Sequence, residues 1–97
     1  MMLDMLYKIT YQDNDKVIID LCDENHPIFR AHFPSEPILP GFIHFEIVAS
    51  VFQVNIQTIK KAKFTKIIRP MDRLEYIRKN NKFEVFCKTD LVASFVL

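Results

Sequence analysis

Four of the chain's five prolines and its only glycine fall between Pro27 and Gly41. Proline fixes φ, removes an amide donor and biases the residue before it away from helix. The stretch from His26 to Leu39 therefore predicts a loop without a regular element. It also splits the chain into two parts with different periodicities. Ahead of it, Leu6 to Tyr11 alternate, with Tyr7, Ile9 and Tyr11 on one face and Lys8 and Thr10 on the other. That is the period of a strand. Asp13-Asn14-Asp15 is a turn cluster, and Lys16 to Cys22 again alternates with Val17, Ile19 and Leu21 on one face. Two such runs around a turn predict an antiparallel hairpin, which Asp23-Glu24-Asn25 ends.

Behind the loop, no proline or glycine interrupts the chain from Phe42 to about Thr58. Phe42, Ile43, Phe45, Ile47, Val48, Val51, Phe52 and Val54 put apolar groups on nearly every face. Their β-branched content would suit a strand, but about seventeen residues is long for one. The length predicts one long helix, and an all-round apolar helix is a buried one. Strand-like runs follow at Ala62 to Ile68, Leu74 to Lys79, Lys82 to Thr89 and Leu91 to Leu97. Asn80-Asn81 and Thr89-Asp90 are turn signals between them. The order predicts an α+β domain over residues 1–97, with the helix packed on an antiparallel sheet.

The punctuated loop also carries the candidate chemistry. His32 precedes Phe33-Pro34-Ser35-Glu36-Pro37-Ile38-Leu39-Pro40-Gly41, and Glu46 follows on the expected helix. An imidazole and a carboxyl group are suited to moving protons near neutral pH. Each also has a plain reading. A lone histidine in such a loop is commonly hydrogen-bonded to backbone, and a lone glutamate on an apolar helix commonly faces its wet stripe. His26 and His44 are read as structural. No two histidines stand i, i+4 apart, so no metal is expected. Cys22 and Cys87 have neither metal nor disulfide spacing and read as packed thiols in a reducing cytoplasm.

The segment His32–Gly41 with Glu46 resembles the 3-hydroxyacyl-(acyl-carrier-protein) dehydratases of fatty-acid synthesis. Lys63-Phe64-Thr65-Lys66-Ile67-Ile68-Arg69-Pro70-Met71-Asp72-Arg73-Leu74 is similar to a second segment of that family, and His26-Pro27-Ile28-Phe29 to its lead-in. Ser35 and Met71 stand where the family commonly has glycine. The resemblance implies a hotdog fold, one long central helix wrapped by an antiparallel sheet, in dimers formed through the sheet. It implies dehydration of a (3R)-3-hydroxyacyl thioester to the trans-2-enoyl thioester, with the substrate on the phosphopantetheine of acyl carrier protein and no other cofactor. His32 would be the base and Glu46 the acid, one from each of two subunits. Burial among Phe42, Phe45 and Ile47 would raise the pKa of Glu46 as an acid requires. Amides at the helix start, from Gly41 onward, would hold the developing oxyanion. Pro40, Phe42 and Phe33 would line that site. The short chain implies a shallow acyl tunnel and a short or unusual acyl group. Two other readings of the same fold stay open: a non-catalytic acyl- or carrier-binding protein, and a thioesterase.

A net charge of +1 argues against whole-surface attraction to nucleic acid or anionic membrane. With 49% hydrophobic residues and nine phenylalanines, more apolar material is present than a small domain readily hides, which predicts a homodimer or higher homo-oligomer. No apolar run approaches the roughly 18 residues of a membrane span and no signal peptide opens the chain, so a cytoplasmic protein is expected. Lys60, Lys61, Lys63, Lys66, Arg69 and Arg73 form a basic stretch, either a solvated face or a docking patch for an acidic carrier. Lys66 and Arg69 are the foremost docking candidates.

Overall fold

The computed structural model describes residues 3–32 and 36–97, with the side chains of residues 31 and 32 outside the description. Its elements are β1 (Tyr7–Gln12), β2 (Lys16–Leu21), α1 (Pro27–His32), α2 (Ile43–Val51), β3 (Lys61–Phe64), β4 (Arg73–Lys79), β5 (Lys82–Cys87) and β6 (Asp90–Val96). The strands form one sheet in the order β1-β2-β4-β5-β6-β3, antiparallel throughout. Hairpins join β1 to β2, β4 to β5 and β5 to β6, as the turn clusters predicted.

Alternation explains which face is covered. Val17, Ile19 and Leu21 of β2, Leu74 and Tyr76 of β4, Phe83 and Val85 of β5, and Phe95 of β6 are all buried. Successive strand side chains point to opposite faces, so these residues share one apolar surface. Helix α2 closes it with Ile43, His44, Ile47, Val48 and Val51. A run of aromatic rings ties the two layers together. Phe45 meets Phe95 at 4.8 Å between centroids, Phe95 meets Phe83 at 5.6 Å, and Phe83 meets Phe52 at 5.3 Å. Edge-to-face and offset pairs at these spacings add to the burial of the rings themselves.

Three boundaries differ from the sequence expectation. The first is α1, a six-residue helix inside the stretch read as a loop. Pro27 is its first residue, where a missing amide costs nothing and a fixed φ helps. His26 caps it: the Ile28 amide donates to His26 Nδ1 at 3.0 Å, and the ring's other nitrogen, Nε2, lies 2.7 Å from the Asp4 carbonyl. The second is α2, which is short rather than long. The Phe52 amide still reaches the Val48 carbonyl, but Gln53 turns to φ 55° and ends the helix. Nor is α2 buried all round, since Phe42 at its start, Glu46 and Ser50 make an exposed stripe four residues apart. The third is β3, which stops at Phe64 instead of Ile68. Thr65 leaves the sheet with its hydroxyl donated to the Leu91 carbonyl at 2.8 Å.

Candidate functional site

The segment leading into α2 is held from both sides. The Leu39 amide donates to the Ile68 carbonyl at 2.8 Å, and Arg69 reaches Glu36 at 3.1 Å. These bonds fix residues 36–40 against the segment after β3. Pro40 is buried, and the chain then turns through Gly41 and Phe42 into α2. The carbonyls of Pro40, Gly41 and Phe42 accept the amides of Ile43, His44 and Phe45, each at 3.1 Å. The amides of Ile43, His44 and Phe45 are thus engaged in i→i−3 bonds rather than left pointing outward.

Gly41 is needed for close approach rather than for an unusual φ. A Cβ on it would stand 3.2 Å from the ring of Phe64. Phe64 in turn meets Phe45 at 5.9 Å and stacks on His44 at 6.1 Å. The turn into α2 and the end of β3 are therefore packed on each other, which brings Phe42 and Phe64, both about half exposed, to the same margin of the molecule.

Glu46 lies in the first turn of α2 on its exposed stripe with Phe42. Within one chain it is not buried among Phe42, Phe45 and Ile47, because Ile47 turns to the sheet and Glu46 does not. His32 is the last residue of α1, and its side chain, like Phe33, lies outside the described residues. The buried titratable group of this helix is instead His44, which the sequence presents as structural. Its Nδ1 lies 2.8 Å from the Tyr76 hydroxyl. Burial lowers its pKa to about 4 and pushes that of Tyr76 well up. Nothing in the local sequence pairs these two residues. The bond depends on β4 running beneath α2. Burial also raises the thiols of Cys22 and Cys87, with Asp23 and Asp72 adding to it, which suits packing rather than nucleophilic attack.

The basic stretch divides in two. Lys66 is paired with Asp90 at 3.0 Å, Arg69 with Glu36 at 3.1 Å, and Arg73 with Asp20 through two bonds at 2.6 and 3.0 Å. Lys61 and Lys63 have no ion pair among the described residues. They surround a cleft of about 230 Å³ with Lys82, over Ser94 and Val96. Sequence reasoning misses Lys82 because only the β3–β6–β5 pairing brings it there. A larger cleft, about 710 Å³, lies on the outer sheet face between Ile18, Phe86 and Met71, and it includes neither Gly41 nor Glu46.

Residues 9–94 match the family model described as ApeI dehydratase. The chain belongs to the ApeI-like dehydratase family. It is 33% identical over 95 residues to the 3-hydroxyacyl-(acyl-carrier-protein) dehydratase FabZ of Rhizobium etli, covering 84% of this chain and 61% of that protein. It is 41% identical over 68 residues to FabZ of Campylobacter hominis, covering 54% of this chain and 47% of the relative. The ApeI-like chain thus spans about half the length of such relatives, 44% for FabZ of Thermoanaerobacter sp.. Among solved structures it is similar to the dehydratase heterocomplex ApeI:P from Xenorhabdus doucetiae, with a TM-score of 0.69 at 17% identity, covering 92% of this chain and 93% of that one. Phenylacetic acid degradation protein PaaI from Thermus thermophilus superposes with a TM-score of 0.54 at 13% identity, covering 99% and 97%. The fold is the α+β hotdog, here with a short helix.

Proposed function

We propose that this ApeI-like protein dehydrates a 3-hydroxyacyl thioester carried on the phosphopantetheine of an acyl carrier protein. His32 takes the proton from the carbon beside the thioester. Glu46 gives a proton to the departing 3-hydroxyl, the C3–O bond breaks, and water and the trans-2-enoyl thioester leave. The backbone amide of Gly41 holds the thioester oxygen as negative charge builds on it. Phe33 and Phe42 flank the acyl group. The observation that carries the reading is the placement of Glu46. It stands in the first turn of α2, five residues after the Gly41 turn, in a member of a dehydratase family.

Glu46 is exposed in the single chain, and an acid at neutral pH needs desolvation. The reading therefore includes a second subunit that covers Glu46 and Phe42 and brings its own His32 towards this carboxyl. Arg69 and Lys66 remain the carrier-facing cations. A carrier carboxylate or phosphate would displace Glu36 from Arg69 and Asp90 from Lys66. The reaction belongs to fatty-acid or related lipid or polyene synthesis, on a short acyl group.

The test is turnover of a short 3-hydroxyacyl thioester, on carrier protein and on a pantetheine surrogate, read by the absorbance of the conjugated enoyl product. His32→Ala and Glu46→Gln should each lose at least about a hundredfold in rate while keeping fold and assembly. Wild-type rates retained in either variant would sink the assignment. Carrier binding without turnover would favour the non-catalytic reading.

A further inference from the structure

We propose that His44 is a positioning residue: its bond to Tyr76 fixes the rotation of α2, so that Glu46 and the Gly41 turn keep one relation to the sheet. This use of the bond rests on the dehydratase reading, but one of its tests needs no turnover, so the two can fail separately.

α2 sits on the sheet through Ile43, His44, Ile47, Val48 and Val51. All but His44 are aliphatic. Burial of aliphatic groups is non-directional, so it holds the helix down without setting its rotation closely. His44 differs. Apart from Tyr76 itself, it is the one buried side chain with a polar group among the described residues. Its Nδ1 lies 2.8 Å from the Tyr76 hydroxyl, and a hydrogen bond weakens steeply as it bends. Tyr76 is a firm anchor. It is wholly buried, and its strand, β4, is paired on both sides, with Val17 of β2 and Val85 of β5 opposite the tyrosine. Burial lowers the pKa of His44 to about 4 and raises that of Tyr76, so the ring is neutral and the hydroxyl protonated at neutral pH.

Helix geometry carries the constraint to the acid. Each residue turns an α-helix by about 100°, so Glu46 lies about 200° round the axis from His44. A pin on the inner face therefore sets where the carboxyl points on the outer face. The same residue holds the turn ahead of it. The His44 amide donates to the Gly41 carbonyl at 3.1 Å. The His44 ring stacks on Phe64, whose ring stands 3.2 Å from the Cβ position of Gly41. A reacting constellation has to be held within about 0.5 Å and 10–20° by groups that are themselves locked. Aliphatic packing alone does not give that, and a bond from α2 to a doubly paired strand does.

Three variants separate positioning from packing. Tyr76→Phe leaves the His44 nitrogen buried and unpaired, which lowers stability. Tyr76→Phe/His44→Leu makes both partners apolar, which returns most of that stability without the pin. His44→Gln keeps a hydrogen-bonding group for the Tyr76 hydroxyl. Amide exchange followed by NMR needs no substrate. In the two variants without the bond, the amides of Ile43 to Glu46 should exchange at least about tenfold faster relative to those of β4 and β5. With a short 3-hydroxyacyl thioester, kcat should fall about tenfold in both while KM stays close to that of the wild type, and His44→Gln should keep at least about a third of kcat. A rate that recovers with stability in the double variant, a first turn as protected there as in the wild type, or a His44→Gln variant as slow as the double one would each overturn the proposal. Absence of turnover in the wild type would overturn the dehydratase reading instead, and amide exchange alone would then decide whether His44 pins the helix.

Discussion

Met71 holds φ 71° in a turn fixed by its own amide on the Cys22 carbonyl at 3.0 Å and by Asp72, which accepts the Arg69 amide at 2.9 Å. The left-handed region costs a residue with a Cβ roughly 1–2 kcal/mol, and glycine almost nothing. The side chain is 70% exposed, so removing it forfeits little burial. Met71→Gly should stabilise the chain by about 1 kcal/mol, read as a higher urea midpoint. His44 makes a prediction of opposite kind. Its folded pKa, about 4, lies below the ordinary value of 6.5, so between these pH values the unfolded chain binds a proton that the folded chain refuses. Stability from this group is full above pH 6.5 and is lost as pH falls towards 4, by about 3 kcal/mol across the window. His44→Gln keeps an acceptor for Tyr76 without titrating. Denaturation midpoints at neutral pH and near the folded pKa should therefore differ less in His44→Gln than in wild type.

At the scale of elements, α1 depends on its cap. His26→Ala removes both the acceptor for the Ile28 amide and the tie to the Asp4 carbonyl, and should cost about 1 kcal/mol in the unfolding midpoint. The sequence hides this helix because Pro27 reads as a breaker, whereas at the first helical position it is a starter. The strands are legible because one face of the sheet is buried, so Val17, Ile19 and Leu21, or Phe83 and Val85, have to alternate with polar neighbours. The end of α2 is not, because Gln53 takes the left-handed turn that sequence reasoning reserves for glycine. The candidate site is legible as a motif, Pro40-Gly41 ahead of Glu46. Its surroundings are not. The pairing of Arg69 with Glu36 and the packing of Phe64 on Gly41 join residues far apart in sequence, and no local pattern records them.

For the whole molecule, the rings between α2 and the sheet carry a large share of the core. Phe95 touches both Phe45 and Phe83 and is almost wholly buried. Phe95→Ala should cost roughly 3–5 kcal/mol, against a total of about 5–15 kcal/mol for a typical domain. A thermal melt should show a fall of well over about ten degrees, or no cooperative transition at all. The sheet order adds a constraint of another sort. Among the described residues β3 has no neighbour but β6, which follows the other five described strands in chain order. A nascent polypeptide that has emerged only as far as Cys87 can zip β1, β2, β4 and β5 together, yet offers residues 61–64 nowhere to lie. The stretch that carries Phe64 waits for Asp90–Val96 to leave the ribosome, and any early stop in that strand releases a chain with its stickiest margin unmoored.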